Sequence, residues 1–480
     1  MRDTWRIDLE RVYERHPFVR EVLARLIDAG FEAVLVGGVV RDALLAAWEG
    51  RPFAPREVDV ATAAPPDEIL KLFSDRPIVR VGERFGVLRV VPPEGSQIEV
   101  ATYREEGDYD GRRPAVVSHD ADLEGDLRRR DLTVNALVAR ADGTVLDYVD
   151  GVPDLEARLL RAIGDPTVRF SEDYLRMLRA VRFASQLDAT IEPQTAEAIR
   201  ANAAHILEIS NERIRDELLR LLESPRAAAG IERMDDLGLL PHVFPEVAAL
   251  KGVPQPEEYH PEGDVYVHTV AALRVADRFI TNPLVKLAVL LHDIGKPHAL
   301  DRSGGANMGG HCAVGARKAE RIAKRLRFSR EEAQQLGFLI GNHMRVADFP
   351  AMGRGKQVRF VSEGEVVGEV RLERRFPRFF ELLQLLVADC EASVHRATGW
   401  APILDETLRV IEHIDEVCSL ARARELIDGH ALIAMGMPPG PRLGAVLAAV
   451  HDRILAGEIT SPEEARRAAQ AMIDDHPQRT

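Results

Sequence analysis

Only three of the 480 residues are cysteine, Cys312, Cys390 and Cys418, too few and too scattered for a disulfide framework or a zinc site of closely spaced thiols. Such usage fits a reducing compartment, and the cytoplasm is the expected address. Phe, Trp and Tyr make up 5% of the chain, which argues against an extended platform for stacking bases. No run of about 18 apolar residues occurs, so no membrane-spanning helix is expected. The opening residues carry charges throughout, where a secretion signal needs an apolar stretch. Positive charge is also in short supply: 63 Lys plus Arg stand against 77 Asp plus Glu, a formal net charge of −14. This balance excludes a broadly basic nucleic-acid coat, so any polyanion must meet a local basic surface. What is present, 46% hydrophobic and 29% charged residues, describes an ordinary globular chain with no indicated membrane or obligate protein partner. At roughly 150 residues per domain, about three domains are expected.

Val19, Val22, Leu23, Leu26 and Ile27 recur at helical spacing over Pro17 to Ala29, with Gly30 as a C-cap. Phe31 to Val36 then reads as a short apolar strand, Gly37-Gly38 as a turn and Val40 to Trp48 as a helix. Further strands are expected over Glu57 to Ala61, Val79 to Val81, Val87 to Val91, Gln97 to Thr102 and Val134 to Ala139. From Ser171 the pattern turns helical, over Tyr174 to Gln186, Pro193 to Ala201, Asn211 to Leu222 and Arg226 to Leu237, with no further sheet. Val253 to Pro256 reads as a linker, Ser303 to Gly310 as a glycine-rich loop and Pro438 to Pro441 as a rigid turn.

Gly37 and Gly38 lie between a strand and a helix, where backbone N–H groups can approach a triphosphate and the helix N-terminus favours anions. Arg41 can add a charge-assisted contact. On a strand, Glu57 and Asp59 would face the same side. Such carboxylates repel unless a cation sits between them, and two divalent ions would serve in-line nucleotidyl transfer. Glu99, on a neighbouring strand, is the candidate third carboxylate.

GGVVRD (37–42), EVDVAT (57–62) and RRDLTVNAL (129–137) together resemble the class II nucleotidyltransferases, the CCA-adding tRNA nucleotidyltransferases and bacterial poly(A) polymerases. The resemblance implies catalytic Glu57 and Asp59 with Mg²⁺, to which Glu99 is added as the candidate third catalytic carboxylate, and places Arg130 and Asn135 near the sugar and phosphates of the incoming nucleotide. One departure is Glu57, where the family usually has Asp; the extra methylene moves the oxygens by roughly an ångström, a scale at which rates can fall about 100-fold. Tyr103 to Leu127, rich in Gly, Asp and Arg, reads as a mobile loop, and in the family a loop here helps the switch from cytidine to adenosine addition. The basic cluster Arg128 to Arg130 is also compatible with a surface salt-bridge network.

Ser171 is expected to cap a helix that carries Glu172, Asp173 and Arg176 on its first turns. Asp173 and Arg176 have the spacing of an intrahelical ion pair. They also resemble the family's nucleotide-selecting EDxxR motif, with Tyr174 where Pro is usual. Read that way, Arg176 donates to cytosine O2 and N3 while Asp173 accepts from its amino group, and a small rotation serves adenine. Arg179 and Arg182, further along the same helical run, join the nucleotide-binding set. Ile209 to Leu218 continues the resemblance as a structural helix.

His292-Asp293 ends an apolar helical run, yet His119-Asp120 and His451-Asp452 occur too, so the dipeptide alone proves little. Its company is what discriminates: His268, His311, His343 and Asp389. Imidazoles with carboxylates suit transition metals, one ion with His268, His292, Asp293 and Asp389 and a second with His311 and His343 added. The set is similar to the HD phosphohydrolase superfamily, all-helical enzymes that cleave phosphate esters with Mn²⁺, Fe²⁺, Co²⁺ or Ni²⁺. Met352 to Phe380 carries Arg354, Lys356, Arg359, Arg371, Arg374, Arg375 and Arg378, either a phosphate contact or a solvated helix face. Residues 429–441 resemble the family's C-terminal region.

The expected architecture is α+β: a polymerase-β-like nucleotidyltransferase head with a mixed sheet (1–155), an all-helical neck for base selection and RNA binding (156–250), an HD domain (251–400) and a helical tail (401–480). The expected activity is template-independent addition of CCA to tRNA 3′ ends from CTP and ATP, with an HD phosphatase or phosphodiesterase activity. Two alternatives stay open, a poly(A) polymerase and a chain that is mainly an HD phosphohydrolase with a weakened head.

Overall fold

A computed structural model describes residues 5–474 except 56, 83–85, 110–113, 119–120, 259, 306–307, 367, 394–398 and 417–419. Cys418 and His119-Asp120 therefore lie outside the described residues. The chain forms two compact units, one through residue 243 and one from residue 244.

In the first unit, α1 (Phe18–Asp28) buries Phe18, Val19, Val22, Leu23 and Leu26 along one stripe. Strand β1 (Ala33–Val36) is buried at every position, as expected where both faces of a sheet are covered. Gly37 then turns the chain at φ 77° and ψ −130°, a conformation that only glycine adopts readily, and α2 (Gly38–Glu49) begins. The remaining strands are β2 (Asp59–Thr62), β3 (Ile78–Gly82), β4 (Val87–Val90), β5 (Ile98–Thr102), β6 (Glu105–Tyr109) and β7 (Pro114–Ser118). After α3 (Leu123–Arg128) come β8 (Val138–Ala139) and β9 (Val145–Leu146). Seven strands form one sheet in the order β3-β4-β5-β2-β1-β8-β9, with β2 and β5 parallel and the other pairs antiparallel.

Several expectations change here. The region Tyr103 to Leu127 is not an open loop, because β6 and β7 pair as an antiparallel ribbon and α3 follows, capped by Asp122 accepting from Gly125 N. The expected strand over Val134 to Ala139 shrinks to β8, because Thr133–Asn135 closes a 3₁₀ turn. Sheet pairing also persists beyond Ser171, where β10 (Leu159–Leu160) and β11 (Thr190–Ile191) form a two-residue parallel pair. Between them run α4 (Pro166–Glu172) and α5 (Leu175–Leu187), and α6 (Asn211–Leu222) packs on α5.

The second unit is helical among its described residues. Helix α7 (Val265–Ala276) packs against α8 (Pro283–Leu291), which is buried from Leu284 to Leu291. Within that apolar helix Lys286 is paired with Asp277 at 2.7 Å, as a buried charge requires. Helices α9 (Lys296–Arg302), α10 (His311–Arg325), α11 (Arg330–Asn342) and α12 (Pro377–Ala392) come next, and further helices from Ala401 to Asp474 follow. Among the described residues no helix is long and apolar enough to cross a membrane.

Candidate functional site

The head site is set by strand register. Val36, the last residue of β1, lies opposite Asp59, and Asp59 lies opposite Glu99 on β5. The Gly37-Gly38 turn and two carboxylates therefore share one end of the sheet. Strand β2 starts at Asp59 rather than Glu57: β1 turns away at Gly37, so Glu57 has no ladder partner and lies exposed just ahead of the strand. Its charge still bears on Asp59, whose pKa rises to about 6 through desolvation, then repulsion from Glu99 and Glu57, against attraction to Arg130 and Arg89. Arg89, opposite Glu99 on β4, reaches that carboxylate at 3.3 Å. The excess negative charge of these carboxylates fits hard divalent cations such as Mg²⁺.

Beside this row, Arg41 is buried and donates to Asn135 Oδ1 at 2.6 Å and Asp42 Oδ1 at 2.8 Å. Asn135 donates to Asp131 at 3.2 Å, and Asp131 accepts from Arg179 Nε at 2.7 Å. Arg182 pairs with Glu217 at 2.6 Å, and the guanidinium groups of Arg41, Arg179 and Arg182 lie over the Phe183 ring. Arg179 is thus committed to a half-buried ion pair and Arg182 to a buried one, which assigns them first to holding the network. The Arg128–Arg130 cluster is likewise paired, Arg128 with Glu124 and both Arg129 and Arg130 with Asp126.

Ser171 does not cap a helix that contains Asp173. It lies at the end of α4, donating to Val168 O, and Asp173 occupies an extended break before α5. There its carboxylate accepts from Leu175 N at 3.1 Å. Asp173 and Arg176 do not pair with each other. Asp173 accepts from Arg213 on α6 at 3.2 and 2.6 Å, while Arg176 pairs with Glu172 and donates to the carbonyls of Arg169 and Arg129. Tyr174 stacks on His205 with ring centroids 4.7 Å apart.

In the second unit every expected ligand converges. His268 Nε2 is 2.9 Å from Asp389, His292 Nε2 3.1 Å from Asp293, and His311 and His343 Nε2 are 3.5 and 3.8 Å from Asp293 Oδ1. Gly295 makes the approach possible: a Cβ there would lie 2.0 Å from the His311 carbonyl oxygen, so only glycine lets the start of α10 come this close. Burial would raise the Asp293 pKa, but His292 and Lys296 outweigh it and hold the group well below the usual range. Burial, then repulsion from His292, lowers His343 to about 4, and burial also lowers His311.

Three of these imidazoles could hold a metal through Nε2. His292, His311 and His343 each direct Nδ1 to a carbonyl three residues upstream, of Val289, Met308 and Ile340, at 2.7, 2.9 and 2.7 Å. A carbonyl only accepts, so Nδ1 carries a proton, and in the neutral ring that a metal requires Nε2 then offers a lone pair inward. His292 Nε2 is buried with no hydrogen-bond partner, which a divalent cation would satisfy. The cluster opens on a cavity of about 500 Å³, walled in part by Pro254, Pro256, Leu300, Met308 and Met344. Val253 to Pro256 is therefore a wall, not a free linker, and Gln255 accepts from Lys296 at 2.6 Å.

Residues that the spacing argument missed are Lys296, four positions after His292, Glu262 and His260 ahead of α7, and Cys312 beside His311. Two histidines flanking a Glu over 260–268 were the available signal. Among the described residues, four of the seven basic residues over Met352 to Phe380 are paired: Arg354 with Glu406, Arg359 with Asp452, Arg375 with Glu365 and Asp415, and Arg378 with Glu363. His451 of the other His-Asp pair faces the Ile427 carbonyl at 2.8 Å, a packing role.

Fold and site together define a nucleotidyltransferase with an appended HD module. Residues 33–161 match the poly A polymerase head domain, 188–251 the "Probable RNA and SrmB- binding site of polymerase A" and 265–362 the HD domain. The A-adding tRNA nucleotidyltransferase of Deinococcus radiodurans is 35% identical over 369 residues, covering 74% of this chain and 80% of that one. The CCA-adding enzyme of Lactobacillus johnsonii is 31% identical over 450 residues, covering 92% and 94%. The match to the CCA-adding enzyme of Levilactobacillus brevis, 43% identical over 48% of this chain, spans 57% of that relative's length. The solved structure of the Bacillus stearothermophilus CCA-adding enzyme in complex with CTP shares the fold, with a TM-score of 0.64 at 23% identity over 97% of this chain and 99% of that one. The chain belongs to the tRNA nucleotidyltransferase family of CCA-adding and A-adding enzymes.

Proposed function

We propose that this chain extends tRNA 3′ ends with C, C and A from CTP and ATP, a cytoplasmic task, and that its second unit is a metal-dependent phosphohydrolase. The observation that carries the first reading is the row Val36, Asp59, Glu99, which lays a glycine turn beside paired carboxylates. Glu57, Asp59 and Glu99 would hold Mg²⁺. The bound ions would supply charge neutralisation and Lewis acidity at the attacking hydroxyl and the departing pyrophosphate. The backbone amides of Gly37 and Gly38, at the N-terminus of α2, favour the triphosphate. Arg41, held by Asn135, and Arg130 add positive charge beside them. A bond forms from the tRNA 3′ oxygen to the α-phosphorus as the bond to pyrophosphate breaks.

Asp173 and Arg176 read the base. An ionised Asp accepts from the amino groups of cytosine and adenine, whereas uracil and guanine present a carbonyl oxygen at that edge. Each reader exchanges an internal partner for the base, Arg213 in one case and Glu172 in the other.

The D. radiodurans relative, named for A addition, favours a second reading in which only the terminal A is added. A tRNA lacking its terminus and one ending in CC, each incubated with CTP, ATP or both, separates the readings. The expected result is two C and then one A. ATP incorporation confined to the CC end assigns A addition, and indefinite A tails assign a poly(A) polymerase.

In the HD unit, His268, His292, Asp293 and Asp389 would hold one ion of the Mn²⁺, Fe²⁺, Co²⁺ or Ni²⁺ class, with His311 and His343 added for a second. The cavity is of the size that takes a small phosphate ester. Hydrolysis of cyclic and terminal phosphates with Mn²⁺, Co²⁺ or Ni²⁺, abolished in His292→Ala, is the expected outcome.

A further inference from the structure

His268 is held differently from the other histidines of the cluster. Its Nδ1 meets no carbonyl: it lies 2.7 Å from Oε1 of Glu262, with Nε2 turned to Asp389 at 2.9 Å. The same Glu262 oxygen engages His260 Nδ1 at 2.9 Å. The rings of His260 and His268 meet edge to face, with centroids 4.7 Å apart at 73°. Glu262 lies just ahead of α7, whose cap Asp264 accepts from Val267 N at 2.9 Å, so the carboxylate reaches back from the loop onto the helix that carries His268. Its second oxygen is buried without a hydrogen-bond partner.

We propose that Glu262 is a positioning residue for the HD metal centre: it accepts a hydrogen bond from Nδ1–H of His268, aims Nε2 toward the ion shared with Asp389, and is itself fixed by His260. This rests on reading the cluster as a divalent-metal site. A carboxylate partner makes an imidazole a stronger ligand than a carbonyl partner does, and removing such a partner characteristically costs about 10- to 100-fold in metal affinity. His268 is then the most strongly donating of the imidazoles, and the ion at His268 and Asp389 depends on a residue that does not touch it.

The test strips the full-length protein of metal and titrates it with Co²⁺ alone, following heat and the visible cobalt bands. Wild type is expected to bind; if it does not, the metal-site reading falls and this one with it. Glu262→Gln is expected to bind about 10- to 100-fold more weakly with displaced bands, and Glu262→Asp to recover part of both. Wild-type affinity and bands in Glu262→Gln overturn the positioning role and leave the metal site standing. A measurement that needs no variant is the ¹⁵N-histidine spectrum of the Zn²⁺-loaded wild type. A protonated Nδ1 and metal-bound Nε2 at His268 support the proposal; Zn²⁺ on Nδ1 overturns it.

Discussion

The two units gather carboxylates in opposite surroundings. In the head, Glu57 and Asp59 are exposed at a strand end, the donors are oxygens only, and the cations at hand are Arg89 and Arg130. In the HD unit, Asp293 is 2% exposed and His268 and His292 are no more than 1%, and nitrogen joins oxygen. Exposed oxygen donors suit a hard ion that exchanges with each turnover, whereas buried imidazoles suit a resident transition metal. One chain thereby holds two donor sets that differ in burial and in donor type.

The contrast breaks most sharply by reciprocal substitution. Asp59→Ala is expected to lower nucleotide addition by about 10²–10³-fold or more while leaving phosphohydrolase activity intact, and His292→Ala to do the reverse. Parallel assays of both reactions on both variants check this, and loss of both activities in either variant defeats the separation.

A second test concerns a head carboxylate neutralised by protein rather than by ions. Burial raises the Asp131 pKa, but the ion pair with Arg179 and hydrogen bonds from Asn135 and Leu132 N outweigh it and hold the group low. Asp131→Asn leaves the half-buried Arg179 without its main partner and is expected to cost about 1–2 kcal/mol in urea unfolding at neutral pH. A depressed carboxyl pKa stabilises above the unfolded value of about 3.9 and loses that contribution as pH falls through the folded value. The gap between wild type and variant should therefore narrow on acidification, and a gap independent of pH contradicts the ionised pair.

A smaller effect is expected from Gly295→Ala, which pushes the start of α10 away from Asp293. Metal affinity of the HD unit should fall by about tenfold or more with nucleotide addition unchanged, as calorimetry and the addition assay would register. The smallest belongs to Arg89, which contacts Glu99 at a partly exposed position. Arg89→Ala removes a cation that competes with metal, so half-maximal addition should need about two- to fivefold less Mg²⁺, the scale of an exposed ion pair. A higher Mg²⁺ requirement would instead make Arg89 a supporting group.

Much of this was legible in the residues. The apolar stripe of Asn211–Leu222 gave that helix its observed bounds, and the order of His268, His292, Asp293, His311, His343 and Asp389 announced a cluster before any distance was known. Glu99 was reachable only as a candidate, because the parallel pairing of β2 and β5 depends on a crossover that no local pattern records. The ribbon β6-β7 hid in a Gly- and Asp-rich stretch of low strand propensity. The partners of Asp173 and Arg176 escaped because helical spacing pairs them with each other, whereas the chain breaks at Asp173 and tertiary neighbours take both. Glu262 escaped because its role exists only once α7 has delivered His268 to Asp389.

One contact set outlasts these distinctions. Arg169 donates to the carbonyls of Arg128 and Arg129 at 2.8 and 2.9 Å, and Arg176 to that of Arg129 at 3.1 Å. Two peptide oxygens thus serve as a shared anchorage for the segment leading to Arg130 and for the side chain of Arg176, the proposed base reader. On the proposed reading, a base that displaces Arg176 also pulls on the segment leading to Arg130, so fidelity would be a matter of mechanical registration as well as of hydrogen-bond complementarity.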